Sequence, residues 1–87
     1  MSVTVQFTYD MAKEIGKRRI EVSGAKTVGD VLRLTREQFP RGGEPFEKLT
    51  RVAALAVNGV LVTHRKGKKT AVRDGDRVAF VKAAAGG

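Results

Sequence analysis

The sequence predicts an α+β domain in which one helix lies across one face of a mixed sheet, in the order β-β-α-β-β-β. Three observations lead there. Runs of alternating apolar and polar residues stand at both ends of the chain. One segment between them carries apolar residues at helical spacing. An Asn-Gly pair separates two further apolar runs.

The first run, "SVTVQFTY", alternates Val3, Val5, Phe7 and Tyr9 against Thr4, Gln6 and Thr8, as a half-buried strand does. "MAKEIGKR" reads as a connection, with Gly16 as a turn residue. "RRIEVSG" is a second strand, with Ile20 and Val22 on one side and Gly24 at its end. "KTVGDVLRLTREQFP" predicts the helix. Thr27 is its N-cap and Asp30, three residues on, completes a short capping box where the helix dipole favours a negative charge. Val28, Val31, Leu32, Thr35 and Phe39 form one buried stripe, with Arg33, Arg36 and Glu37 largely off it. Gly29 is a weak helix former in the first turn, and Pro40 ends the helix. "RGGEPFEKLTR" is a loop with a short turn at Phe46 to Leu49. "VAALAVNGVLVTH" is a hairpin about Asn58-Gly59. A basic loop, "RKGKK", precedes the Asp74-Gly75-Asp76 corner. The last strand puts Val78 and Phe80 on one face, Ala79 and Val81 on the other. No repeat or second domain is visible. Residues 1–82 form the domain and residues 83–87 a flexible Ala/Gly tail.

Composition narrows the function. The chain has 87 residues, 41% of them hydrophobic, enough for a modest core. It contains no cysteine, which excludes disulfides, thiolate metal sites and a cysteine nucleophile, and suits a reducing cytoplasm. No signal peptide or membrane-length apolar run is present, so no membrane role is expected. The formal charge of +8 favours acidic partners. With 6% aromatic residues and no recognisable reading helix, nucleic acid is disfavoured as that partner.

No side-chain catalytic set emerges. His64, the single histidine, lies beside the basic loop and reads as a surface residue. Asp74 and Asp76 read as turn residues, because a metal needs more oxygen ligands than these, so no metal site is expected. The clusters Lys17-Arg18-Arg19 and His64 to Lys69 read either as solvated loops or as phosphate contacts. There remains "VKAAAGG", residues Val81 to Gly87. It is either a frayed end or a working group in its own right. A carboxylate on Gly86-Gly87 has no Cβ beside it and can enter a narrow channel, with Ala83, Ala84 and Ala85 as a slim stalk. Adenylation of such a carboxylate gives a mixed anhydride that sulfur or amine nucleophiles attack.

With "TVGDVL" opening the helix, "LAVNGVLV" as the hairpin and "DGDRVAFVKAAAGG" as the closing segment, the chain resembles the ubiquitin-like sulfur carriers of the MoaD/ThiS family, which have the β-grasp fold. Its length and long helix-to-hairpin loop look more like the MoaD branch. The resemblance implies a protein that is not itself an enzyme and binds no cofactor. An E1-like enzyme of the MoeB/ThiF type, using ATP and Mg, would adenylate Gly87, and a thiocarboxylate would then donate sulfur. Gly86 would be its channel-fitting partner. Val81 and Leu61 would correspond to the family's apolar docking patch, with Lys82 and Ala83 to Ala85 leading into the partner. In the MoaD branch the acceptor is the large subunit of molybdopterin synthase. Two departures stand out: Lys82 and Ala83 occupy positions where relatives often carry prolines, and many relatives are acidic. Two alternatives remain open beside the carrier. One is a modifier joined to lysines through Gly87, and the other is a basic nucleic-acid-binding module.

Overall fold

Hydrogen-bonded strands arise where apolar and polar residues alternate, and two helices interrupt them. The computed structural model describes residues 2–39, Phe46, Lys48 and 53–82, with His64 described by its backbone alone. The elements are β1 (Ser2–Gln6), α1 (Tyr9–Ile15), β2 (Arg19–Ser23), α2 (Val28–Arg36), β3 (Ala53–Val57), β4 (Val60–Leu61) and β5 (Arg77–Lys82). Short 3-10 turns at Val62–His64 and Gly67–Lys69 lie between β4 and β5. The strands form one mixed sheet in the order β2-β1-β5-β3-β4. β1 and β5 are parallel, and the other neighbouring pairs are antiparallel.

One face of the sheet is the core face. Val3, Val5, Ile20, Val22, Val57, Val78 and Phe80 are buried there in one cluster with Val28 and Val31 of α2 and Met11 of α1. Removing these side chains from water drives folding. Around the end of β5 the four phenylalanines pack as a group. Phe7 stacks on Phe80 with centroids 6.0 Å apart, and Phe46 meets Phe80 edge-on at 5.7 Å. Phe39 touches Phe7 at 5.8 Å and Phe46 at 5.0 Å, both edge-on.

The capping box of α2 is present as expected. Thr27 Oγ1 accepts from the Asp30 N–H at 3.3 Å, and Asp30 Oδ2 accepts from the N–H groups of Thr27 at 3.3 Å and Lys26 at 3.0 Å. Val28, Val31, Thr35 and Phe39 are buried and Leu32 is half-buried, as the stripe predicts. A Cβ at Gly29 would stand 3.4 Å from the Lys68 carbonyl oxygen, close to an ordinary contact, so space alone does not demand a glycine there. The hairpin turn also forms as read, with Asn58 at φ 50° and Gly59 at φ 86°, the left-handed pair that a two-residue turn needs.

Four expectations are corrected. The segment read as a connection, from Met11 to Arg18, holds most of α1, so the order is β-α-β-α-β-β-β. Thr8 caps this helix by accepting from the Met11 N–H at 3.2 Å, and Gly16 closes it with an N–H to the Ala12 carbonyl at 2.8 Å. Tyr9, read as the inward end of β1, instead begins α1 and is exposed, with the Lys13 ammonium over its ring. α2 ends at Arg36, before Phe39, and β4 is two residues long because the chain turns at Val62 to bury that side chain. Phe46 and Lys48 are helical, which agrees with a turn there. Pro40, the rest of that loop and the tail residues Ala83, Ala84, Ala85, Gly86 and Gly87 lie outside the described residues.

Candidate functional site

The face of the sheet away from the helices divides into two halves. Strand register fixes which side chains share it. Ala54 is opposite Val81, Ala56 is opposite both Ala79 and Leu61, and Thr4 is beside Arg77. The half made by β5, β3 and β4 therefore carries Val81, Ala79, Ala54, Ala56 and Leu61. Val81 and Leu61 are exposed at 45% and 36%, with small alanines between them. Rows two strands apart and two residues along put Val81 and Leu61 about 12 Å from each other. The other half, on β1 and β2, is polar and carries Thr4, Gln6, Arg19 and Glu21 beside Arg77 of β5.

The strand that leads to the tail is held firmly. β5 lies between β1 and β3, with Val78 and Phe80 driven into the core. Its last residue, Lys82, is exposed and pairs with Ala53, so the chain leaves the sheet beside the apolar half. At its start, the Asp74–Asp76 corner ties β5 to β1. Asp74 Oδ1 accepts from the Ser2 N–H at 2.6 Å, Gly75 donates to the Ser2 carbonyl at 2.8 Å and Thr4 donates to the Asp76 carbonyl at 3.0 Å. The corner thus has the structural role read for it. The predicted docking residues Val81 and Leu61 share one exposed face, whereas Lys82 alternates to the other face with Val78 and Phe80. Sequence reading missed Ala54 and Ala56, which with Ala79 make that face shallow. The signal was the small residue at every second position of "AALAV". Among the described residues there is no His, Cys, Asp or Glu cluster that could hold a metal ion, and no helix is long and apolar enough to cross a membrane.

A mixed five-stranded sheet with helices on one face, an open apolar half-face and a central strand running into a small-residue tail defines a ubiquitin-like β-grasp protein. The model of the ThiS family matches residues 5–87, and the chain belongs to that family. No curated protein matches it. Solved structures share the fold. A chain in the crystal structure of the Amycolatopsis orientalis BexX/CysO complex is 24% identical with a TM-score of 0.80, covering 98% of this chain and 99% of that one. The small archaeal modifier protein 1 of Methanosarcina acetivorans is 23% identical with a TM-score of 0.78, covering 99% and 96%. A chain in the complex of subunits 1 and 2 of the molybdopterin-converting factor of Helicobacter pylori 26695 is 22% identical with a TM-score of 0.67, covering 100% of both. Two of these three structures are complexes of two proteins.

Proposed function

We propose that this chain is a sulfur carrier whose working group is the Gly87 carboxylate. An E1-like enzyme docks on the apolar half-face through Val81 and Leu61 and receives the tail from Lys82 onward. The carboxylate oxygen attacks the α-phosphorus of MgATP and pyrophosphate leaves. A sulfur nucleophile then attacks the acyl-adenylate carbon and AMP leaves. Where that nucleophile is a persulfide, a second thiol attacks the donor sulfur of the resulting acyl disulfide, the S–S bond breaks, a new disulfide is left on the donor and the electron pair stays on the acyl sulfur as the thiocarboxylate of Gly87. The observation that carries this reading is the coincidence of an exposed apolar half-face with a central, doubly flanked strand whose last residue, Lys82, stands five residues before Gly87 in the sequence. A tail without Cβ atoms at its tip fits a narrow enzyme channel. One sulfur acceptor in keeping with the Helicobacter pylori similarity is a molybdopterin synthase large subunit.

The test is to incubate the protein with an E1-like enzyme from its own genome, MgATP and a sulfur donor, and to measure intact mass. The expected product gains the difference between sulfur and oxygen at Gly87 and is absent when Gly86 and Gly87 are deleted. Unchanged mass with every such enzyme in that genome would end the carrier reading. The similarity to small archaeal modifier protein 1 supports a second reading, conjugation of Gly87 to lysines. It predicts Ala-Ala-Ala-Gly-Gly remnants, left by tryptic cleavage after Lys82, on lysine side chains in digests of the native cells, and the carrier reading predicts none.

A further inference from the structure

The +8 charge is unused by the proposed tail chemistry, and the fold concentrates part of it at the end of β5 opposite Lys82. A groove is lined by Arg65, Lys66, Lys69 and Arg73, with Asn58, Thr70 and Asp76 between them. It lies at the end of the sheet where β3 finishes and β5 begins, because the Asn58 N–H donates to the Arg77 carbonyl at 2.8 Å. Lys82 is five residues further along β5, about 17 Å away. Between residues 65 and 77 stand six cations and two carboxylates. Both carboxylates are taken by the fold's own donors. Asp74 accepts from the Ser2 N–H, and Asp76 accepts from the Asn58 amide at 3.0 Å and the Arg73 N–H at 2.8 Å. Among the described residues, ion pairs within 4 Å join Arg33 to Asp30 and Glu37, and none involves the groove's cations.

We propose that this groove is a docking site for an acidic, Asp- and Glu-rich segment of a partner protein, engaged while the tail remains free. Like-signed side chains converging on one groove focus the field and steer an oppositely charged partner. Three features favour a protein over a nucleic acid. No aromatic ring lines the groove, so bases have nothing to stack on. Val60 and Leu61, both exposed and apolar, follow directly after Asn58 and Gly59, giving the mixture of apolar and charged groups usual in protein interfaces. β4 also ends the sheet, so an extended peptide has an open strand edge beside the groove.

The test uses the full chain, with hexaglutamate peptide and a seven-nucleotide oligothymidylate of equal charge as probes, followed by amide NMR shifts at low salt. Hexaglutamate is expected to move the resonances of Asn58 and residues 65–73. The combined variant Arg65→Ser, Lys69→Ser, Arg73→Ser should weaken it about tenfold. The variant Lys17→Ser, Arg18→Ser, Arg19→Ser removes the same charge elsewhere and should leave the affinity within about twofold. Equal losses in the two variants would reduce the effect to net charge and overturn the proposal. Oligothymidylate binding as tightly at the same residues would overturn the choice of partner. Loss of peptide binding on deletion of Gly86 and Gly87 would overturn the independence from the tail. If the triple groove variant loses its dispersed spectrum, Lys69→Ser alone, read at the same amides, decides: an unaltered affinity overturns the site.

Discussion

Asp76 owes its lowered pKa to its neighbours. The Asn58 side-chain amide contributes most to holding its carboxyl below the ordinary range, followed by the Arg73 N–H, with the charges of Arg73 and Arg65 adding to them against a partial loss of hydration. Because the folded value lies below the unfolded one, the unfolded chain takes up the proton first as acid is added. The stability from this group is complete above the unfolded value and is lost as pH falls through the folded one. Asp30 is shifted the same way, mainly by the Lys26 N–H, with the Thr27 N–H acting in the same direction against some desolvation. The urea midpoint should therefore fall between about pH 5 and about pH 2, and Asp76→Asn should flatten that fall. An unchanged slope in the variant would remove Asp76 as a cause. Thr35 makes a different residue-scale case. It is fully buried on α2, and its Oγ1 has no hydrogen-bond partner among the described residues. Thr35→Val keeps the shape and removes the unpaired hydroxyl, so it should stabilise the fold by about 1 kcal/mol in urea titration. A loss of that size would mean the hydroxyl has a partner.

At the scale of elements, α2 was legible and α1 was not, and the difference is physical. α2 has a long buried stripe and a complete capping box, two independent signals over nine residues. Thr27→Ala removes one half of that box, so it should cost about 1 kcal/mol of stability, measured by denaturant unfolding. Thr27→Ser should recover most of it, and equal losses in both would shift the cause from the hydroxyl to the methyl group's packing. α1 spans seven residues and buries only Met11 completely, so its apolar period is too short to stand out. The alternation of β1 also runs on through Phe7 and Tyr9, which hid the start of the helix at Thr8. Thr8 and Gly16 were the available signals, a cap at each end of a segment read as loop. The short β4 was overread for a related reason. "VLVTH" has strand composition, but Val62 is buried as the chain turns away from the sheet. The basic groove was half visible. "RKGKK" was read as a charged loop, but its meeting with Arg73 and Asn58 depends on the fold that brings the hairpin turn beside the corner before β5.

For the whole molecule, the decisive feature is that β5 buries one face in the core and leaves the other exposed. Its position between β1 and β3 commits it to the centre of the sheet, while its outward residues stay available to a partner. Phe80 and Val81 are adjacent in sequence and opposite in exposure. Phe80 is 5% exposed and touches Phe7 and Phe46, whereas Val81 is 45% exposed beside Ala54. Phe80→Ala should destabilise the fold by about 3–5 kcal/mol, through lost burial and the cavity left among the phenylalanines. Val81→Asp should change stability by no more than about 0.5 kcal/mol, since the site is exposed. It should nevertheless raise the KM for the activating enzyme about tenfold, because a desolvated apolar contact becomes a buried unpaired charge. Its kcat should be kept, because Gly86 and Gly87 reach the enzyme unaltered. The readings are thermal unfolding of both variants and the kinetics of pyrophosphate release with an E1-like enzyme. A Val81→Asp protein with wild-type KM would show that the apolar half-face is not where the enzyme docks. A loss of kcat at unchanged KM would point instead to misdirection of the tail from its root at Lys82.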